Sequence, residues 1–377
     1  MSRTEGRGQL RAVATLLLSR VFVVALASAA GILAFNPAVS GEWNIPVPLL
    51  SGFARWDAGY YLDISKFGYP GLLAVAANPH EILFYSFRPL YPAAIYALRP
   101  LFGWLDVDEA GVLAGFLWNL IMLALTGVYL WKLTNALFGA RVAGRTVLLL
   151  AFFPTSYVLS AIYPDATFLF LSVACLYYME TGNEAVAAIL GFLTGLTRPE
   201  GFLLAIPFLV KAYQGGRRRR LVASAVSVMS SLPLFLAFSY YNMGDALAPL
   251  TVEMNWQKNT LLGPPNLPPP TVGNLLPILV NVAVFVVAAS FFLLSILRRP
   301  TGSQLPYYAW TAVVIVVFLL DADIRSWARL TMLAFPLLWT QAGYTLGRPR
   351  LRHLLLGAYV LLLCAATVMF ADWYQML

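Results

Sequence analysis

Residues 89–109 read Pro-Leu-Tyr-Pro-Ala-Ala-Ile-Tyr-Ala-Leu-Arg-Pro-Leu-Phe-Gly-Trp-Leu-Asp-Val-Asp-Glu, and how they are taken decides how the chain threads a membrane. The apolar part, 89–103, is short of the roughly 20 residues that a helix needs to cross about 30 Å of hydrocarbon. It also contains Arg99 and Pro100 and runs into Asp106, Asp108 and Glu109. Such a segment reads as a helix lying along the outer surface rather than a span. The next apolar stretch, 110–133, is then the second true span and delivers Lys132, Arg141 and Arg145 to the cytoplasm. Counting 88–103 as a span reverses that loop, against the positive-inside bias.

The rest of the chain fits this frame. Of its 377 residues 60% are hydrophobic and 11% charged, against about 25% charged in a soluble domain. We therefore read an all-α polytopic membrane protein, with residues 1–377 as a single membrane domain. Residues 36–109 form a first extracytoplasmic loop carrying two juxtamembrane helices, and 242–273 a second loop. Arg3, Arg7 and Arg11 place the N-terminus in the cytoplasm. Residues 10–35 read as a retained anchor rather than a cleaved leader, with Arg20 snorkelling to the cytoplasmic face. Basic residues at 217–220, 298–299 and 348–352 fit the inner ends of helices at about 220–241, 273–297, 305–320, 329–347 and 353–371, giving about eleven spans. The net charge of +8 sits in these short clusters, which argues against nucleic acid as a partner. Only four of the 25 basic residues are Lys, and this bias with the short termini favours a prokaryotic plasma membrane over the endoplasmic reticulum. Cys175 and Cys364 lie apart in apolar runs and His80 and His353 in different segments, so neither a disulfide nor a metal centre is expected.

Chemistry-bearing residues gather at the outer ends. In Arg55-Trp56-Asp57-Ala58-Gly59-Tyr60-Tyr61 a carboxylate is flanked by an Arg and three aromatics. Helical spacing from Arg55 puts Trp56, Tyr60, Ile64 and Phe67 along one side, as suits a helix half buried among headgroups. Asp57 falls at the start of that helix, and Asp63, about 120° away, is not a facing partner of the glycosidase kind. On spacing alone, a helix cap with an aromatic belt accounts for this stretch as well as a catalytic site does. The other outer polar groups are Arg88 before Pro89, Leu90 and Tyr91; Asp165 in Tyr163-Pro164-Asp165; Arg198 and Glu200 in Thr197-Arg198-Pro199-Glu200-Gly201; and Asp321 to Arg329. Each lies at the end of an apolar run, and ionisable groups at membrane depth are functional candidates. Two short helices, 186–198 and 200–214, meet at the break around Pro199 and Gly201, and a broken helix in a bundle lines a cavity or is buried in protein. Asp106-Val107-Asp108 and Asp321-Ala322-Asp323 match a DxD pattern, but helix capping explains them more simply. No P-loop is present, so energy from ATP is not indicated.

Taken together these motifs resemble the PIG-V-like mannosyltransferases, membrane glycosyltransferases of the GT-C class, over about residues 10–340. The resemblance is carried by Arg55 to Leu62 with Gly68-Tyr69, by Phe87 to Pro92, by Phe153-Pro154-Thr155 through Tyr163-Pro164-Asp165, by Leu196 to Gly201, and by Arg329 with Phe335-Pro336. Arg88 stands where the family more often has Phe, and Asp165 where it more often has Glu. The resemblance implies a GT-C fold and an inverting transfer of a hexose, mannose first, from a polyprenyl-phosphate sugar to a lipid or glycan acceptor. It implies Asp57 as the general base. The chemistry then assigns the leaving phosphate to Arg198 and Arg329, with Arg88 third, and substrate contacts to Arg55, Trp56, Tyr60, Tyr61, Tyr91, Asp165 and Glu200. No metal or other cofactor is expected, since arginine can do the neutralising. The rival expectations are a transporter or flippase of a lipid-linked substrate, which internal repeats and mid-span charges would mark, and a GT-C enzyme with a different donor sugar.

Overall fold

The computed structural model describes residues 3–33, 50–256, 272–298, 300–320 and 326–371, and no strand occurs among them. In chain order the helices are α1 (Arg3–Leu33), α2 (Ala58–Phe67), α3 (Leu72–Ala77), α4 (Leu90–Leu98), α5 (Val107–Phe138), α6 (Ala140–Ala151), α7 (Asp165–Thr181) and α8 (Glu184–Gly195). They continue with α9 (Ala205–Tyr213), α10 (Arg218–Met229), α11 (Ser231–Met243), α12 (Ala248–Trp256), α13 (Val272–Leu297), α14 (Leu305–Leu320), α15 (Trp327–Leu333), α16 (Pro336–Tyr344) and α17 (Pro349–Ala371). Among the described residues five stretches are long and apolar enough to cross a membrane: Thr4–Ala30, Val107–Phe138, Arg218–Met243, Pro277–Leu297 and Pro349–Ala371. The remaining crossings among the expected eleven fall on shorter or broken helices, whose length alone does not make them spans.

α7 is the axis of the bundle. It is buried on nearly every side and packs against α5 and α8, while α1 lies across α5, α6 and α17. A helix apolar all round belongs in such a core. α5 shows why these helices start and stop where they do. The Asp106 carboxylate accepts the Asp108 N–H at 2.8 Å, Asp108 and Glu109 occupy the positive first turn, and Gly139 ends the helix at φ 84°. Asp106 is thus the helix cap expected of the Asp106-Val107-Asp108 pattern.

Both surface segments of the first loop are helical. α4 continues into a 3₁₀ turn at Arg99–Phe102, packs on α2 and α5, and buries Tyr91 and Ile95. The break at 196–204 is also present. α8 ends at Gly195, a 3₁₀ segment covers Pro199–Leu204, and α9 follows. Gly201 is required there, because a Cβ on it would lie 2.5 Å from backbone atoms of Thr194 and Gly195.

Three expectations need correction. Arg20 does not reach an aqueous face: it is 2% exposed. Its Nη2 donates to Ala151 O at 2.8 Å and Ser156 Oγ at 3.1 Å, its Nη1 to Ser156 O, and its Nε to Ser19 Oγ at 3.2 Å. The end of α6 leaves carbonyls without intrahelical donors, and a cation is favoured at that negative pole. Secondly, Trp56 precedes α2 with φ 54°, so the side expected to run from Trp56 to Phe67 does not form; Ile64 is buried and Phe67 is 74% exposed. Thirdly, the helix expected over 329–347 is two helices, because Pro336 supplies no N–H and Ala334, at ψ 58°, leaves the helical path. The Asp321-Ala322-Asp323 pattern and the proline-rich part of the second loop lie outside the described residues.

Candidate functional site

Four of the polar residues expected at the outer ends of apolar runs come together although the chain separates them widely. Asp165 is the first residue of α7 and fully buried. Arg329 on α15 grips it with two hydrogen bonds, Nε to Oδ1 at 2.7 Å and Nη2 to Oδ2 at 2.6 Å. This is the planar fork geometry that distinguishes Arg from Lys. Arg198 reaches the same Oδ2 with Nη1 at 3.5 Å, the limit of a hydrogen bond. Its Nε and Nη2 donate to the two oxygens of Glu200 at 3.3 and 3.1 Å. Two cations and two anions thus form one chain, and its exposure rises from Asp165, through Arg329 and Arg198, to Glu200 at 20%.

Each member is held by buried polar contacts that the sequence motifs do not display. The turn before Asp165 is fixed by Asn119 of α5, whose Nδ2 donates to Ala161 O at 2.6 Å and Tyr91 OH at 3.1 Å. It is fixed also by the Ile162 N–H, which donates to Phe53 O at 2.9 Å. The start of α15 is fixed by Asn281, which accepts the Ala328 N–H at 3.1 Å, and by Thr155, which donates to Ala328 O at 3.2 Å. Leu90 N–H donates to Leu196 O at 3.0 Å and ties α4 to the helix break that carries Arg198. A lone Asn within an apolar run was the available signal for Asn119 and Asn281, since a polar side chain in a bundle needs an internal partner.

Tyr163 joins this cluster to Asp57. Its ring faces the Arg329 guanidinium at 4.6 Å, and its hydroxyl donates to Arg55 O at 3.0 Å. Trp56 follows in the left-handed region at φ 54°, a conformation that costs a non-glycine residue about 1–2 kcal/mol and persists only where the surroundings impose it. Asp57 then takes the N-cap position of α2 without a side-chain cap hydrogen bond. The helix start that spacing allowed for Asp57 is thus present, without a capping bond from its carboxylate.

Tyr61 is buried among Phe87, Tyr91 and Tyr163, with ring centroids at 5.0, 5.3 and 6.3 Å. Burial pushes its hydroxyl well above the ordinary phenol range; Arg198 and Arg329 pull it back, while Asp57 and Asp165 push it further. These four charges therefore all bear on Tyr61. Tyr60 stacks on Phe87 at 4.6 Å and remains half-buried. Its hydroxyl is raised by burial and then by Asp57. Arg88 is buried with its guanidinium 4.2 Å from the Phe235 ring on α11. Beside the cluster runs a narrow apolar crevice between Phe168, Trp310, Leu330 and Glu200. A roomier cavity lies at the far end of α7 and includes none of these residues.

The family model described as Mannosyltransferase (PIG-V) matches residues 10–261, a span that holds Asp57, Asp165, Arg198 and Glu200 and stops short of Arg329. Among curated proteins, the chain is 29% identical over 192 residues to GPI alpha-1,6-mannosyltransferase 2 of Cricetulus griseus, covering 50% of this chain and 36% of that protein. It is 29% identical over 211 residues to the protein of that name in Rattus norvegicus, covering 51% and 41%. The matched region thus spans well under half the length of these relatives. Among solved structures, the chain is similar to the Archaeoglobus fulgidus oligosaccharyltransferase, crystallised with Zn and sulfate, at TM-score 0.46 and 16% identity, covering 94% of this chain and 53% of that one.

Proposed function

The chain belongs to the mannosyltransferase family described as PIG-V, and from that premise we propose that it transfers mannose from a polyprenyl-phosphate sugar to a hydroxyl of a lipid or glycan acceptor. The observation that carries the reading is Tyr163, which packs on Arg329 and bonds the turn that holds Asp57. It places a carboxylate and a pair of arginines within one small region.

In the step we envisage, the acceptor hydroxyl attacks the anomeric carbon as Asp57 takes its proton. The bond between that carbon and the phosphate oxygen breaks on the opposite face, so the configuration inverts, and the lipid phosphate departs with its electron pair and negative charge. Arg198 and Arg329 receive that charge. A fixed donor aimed at developing negative charge is worth about 3 kcal/mol. The 3.5 Å contact between Arg198 and Asp165 is the weakest in the cluster and the easiest for a phosphate oxygen to replace. Both oxygens of Asp165 are engaged by guanidinium groups, so its part is to hold the arginines. Glu200, the most exposed member, is left to accept from sugar or acceptor hydroxyls. The Tyr60–Phe87 stack offers an aromatic face beside Asp57, with Arg55, Trp56, Tyr61 and Tyr91 shaping its surroundings and Arg88 as a further cation. The scheme calls for no metal, and it runs on the extracytoplasmic face of a GT-C bundle in a prokaryotic plasma membrane.

The test is radiolabelled mannose transfer by the purified full chain in nanodiscs, from polyprenyl-phosphate mannose and in parallel from GDP-mannose, to a mixture of membrane lipids. Transfer from the lipid-linked donor alone is the expected result. Transfer from GDP-mannose alone overturns the donor assignment. Movement of the intact lipid-linked sugar across the bilayer without cleavage turns the reading into that of a flippase.

A further inference from the structure

α7 has two ends, and only one belongs to the site described above. Its 17 residues carry the chain about 25 Å from Asp165 to Thr181. There a cavity of about 670 Å³ opens between the start of α8 and the start of α10, a volume within the range of small-ligand pockets. We propose that this cavity binds the headgroup of an anionic phospholipid from the leaflet opposite Asp57.

The wall of the cavity is built, not incidental. Arg217 lies 2.6 Å from the Glu184 carboxylate, which is 7% exposed, so these two charges cancel. Gly182, at φ 89°, takes a backbone conformation that side-chain-bearing residues rarely adopt, and the Arg217 guanidinium lies over it. Ser224 donates to Glu184 O at 3.2 Å and to Arg220 O at 3.0 Å, fixing α10 against α8. With Glu184 paired, the cation on the cavity lining is Arg220, and Arg218 and Arg219 are exposed beside it in the chain. No salt bridge occupies these three among the described residues. Below the mouth the lining changes to Ala185 and Ala188 of α8 and Ala223 of α10, small side chains left exposed or half-exposed in the groove between the two helices.

This division matches one class of ligand in both parts. A phosphate at the membrane surface suits the arginine rim, and juxtamembrane basic clusters attract anionic lipids. An alanine floor beside that rim, between the first turns of α8 and α10, suits the start of an acyl chain. A soluble phosphate uses the rim alone and has no need of the floor.

The full chain, delipidated in detergent, is titrated with phosphatidylglycerol or phosphatidylcholine and the bound lipid counted by native mass spectrometry, with millimolar inorganic phosphate as competitor. Three variants accompany the wild type: Arg218→Gln/Arg219→Gln/Arg220→Gln, the same positions changed to Lys, and Ala188→Leu. Thermal unfolding checks that each is folded. Preferential retention of phosphatidylglycerol is expected, falling roughly tenfold or more in the Gln variant, kept in the Lys variant, and lost in Ala188→Leu with the arginines intact. Equal binding of the two lipids, or a preference that survives both the Gln variant and Ala188→Leu, overturns the proposal. Inorganic phosphate that displaces phosphatidylglycerol, with Ala188→Leu binding as wild type, overturns the lipid and leaves a phosphate site. Should the Gln variant not fold, Ala188→Leu decides alone.

Discussion

Arg20 and Arg329 are both buried in the same bundle, at 2% and 6% exposure, yet their partners differ in kind. Every hydrogen bond from Arg20 goes to an uncharged oxygen, of Ser19, Ala151 or Ser156, where it closes the end of α6. Arg329 meets a carboxylate in fork geometry, and that carboxylate also touches Arg198, which continues to the part-exposed Glu200. The first arrangement fixes backbone and has no member that opens outward. The second cancels its charge internally and has one end open, so a ligand that brings negative charge can take over a guanidinium. Burial of a cation therefore does not identify a binding site; the nature of its partner does.

Among the changes that bear on this comparison, Arg329→Lys is expected to produce the largest effect, since Lys keeps the charge and loses the fork. Mannose transfer should fall by roughly 10²–10³-fold in folded protein, read as initial rates beside a thermal unfolding curve. If Arg20→Lys causes an equal loss without lowering stability, the two arginines are not different in kind and the comparison breaks. Arg20→Met should act on stability instead. It leaves buried carbonyls without donors, which costs about 3 kcal/mol in total, while the rate per folded molecule stays within about threefold. Denaturation and active-site titration of the same sample separate the two quantities.

Tyr163→Phe sharpens the comparison, because it keeps the ring on Arg329 and removes the hydroxyl that bonds Arg55 O at the Asp57 turn. Loss of one such bond, about 1 kcal/mol, should lower the transfer rate about fivefold and leave donor binding unchanged. An unchanged rate would mean that the Asp57 turn is registered by other contacts.

Asp63, on the same helix as Asp57 but outside the arginine cluster, gives the smallest effect and a pH signature. Burial, with Asp108 adding to it, raises its carboxyl from 3.8 to about 6, against the pull of Lys66. The folded state then holds more protons than the unfolded state between about pH 4 and 6, so stability falls as pH rises through that window. The side chain is half-exposed, and after allowance for screening the loss is about 1 kcal/mol. Asp63→Asn should flatten this slope in denaturation curves between pH 4 and 7.

Much of the helical plan is open to reading from the chain, because it rests on local signals. Pro199 and Gly201 mark the break, Asp106 marks the start of α5, and the short apolar run with Arg99 and Pro100 marks α4. What escapes is whatever depends on partners far along the chain. Arg20 looks like a snorkelling residue until Ser156 is found beside it, 136 positions away. Asp165 and Arg329 are 164 positions apart, and no helical period relates them. The turn of Trp56 out of the helix is likewise not visible, since an aromatic residue in a left-handed conformation follows from the packing around it and not from its own preference. That four polar residues close apolar runs is legible in the chain; the pairing of Asp165 with Arg329 and Arg198 belongs to the tertiary structure.

The central claim is that Asp57 takes the acceptor's proton beside arginines that hold the leaving phosphate. It is tested most directly by single-turnover transfer from polyprenyl-phosphate mannose, comparing wild type with Asp57→Asn, with donor affinity measured separately on both. The account predicts that transfer falls by about 10²–10⁴-fold while donor affinity stays within about twofold and the unfolding temperature is unchanged. Transfer at the wild-type rate in Asp57→Asn contradicts it, and so does a loss explained wholly by weaker donor binding.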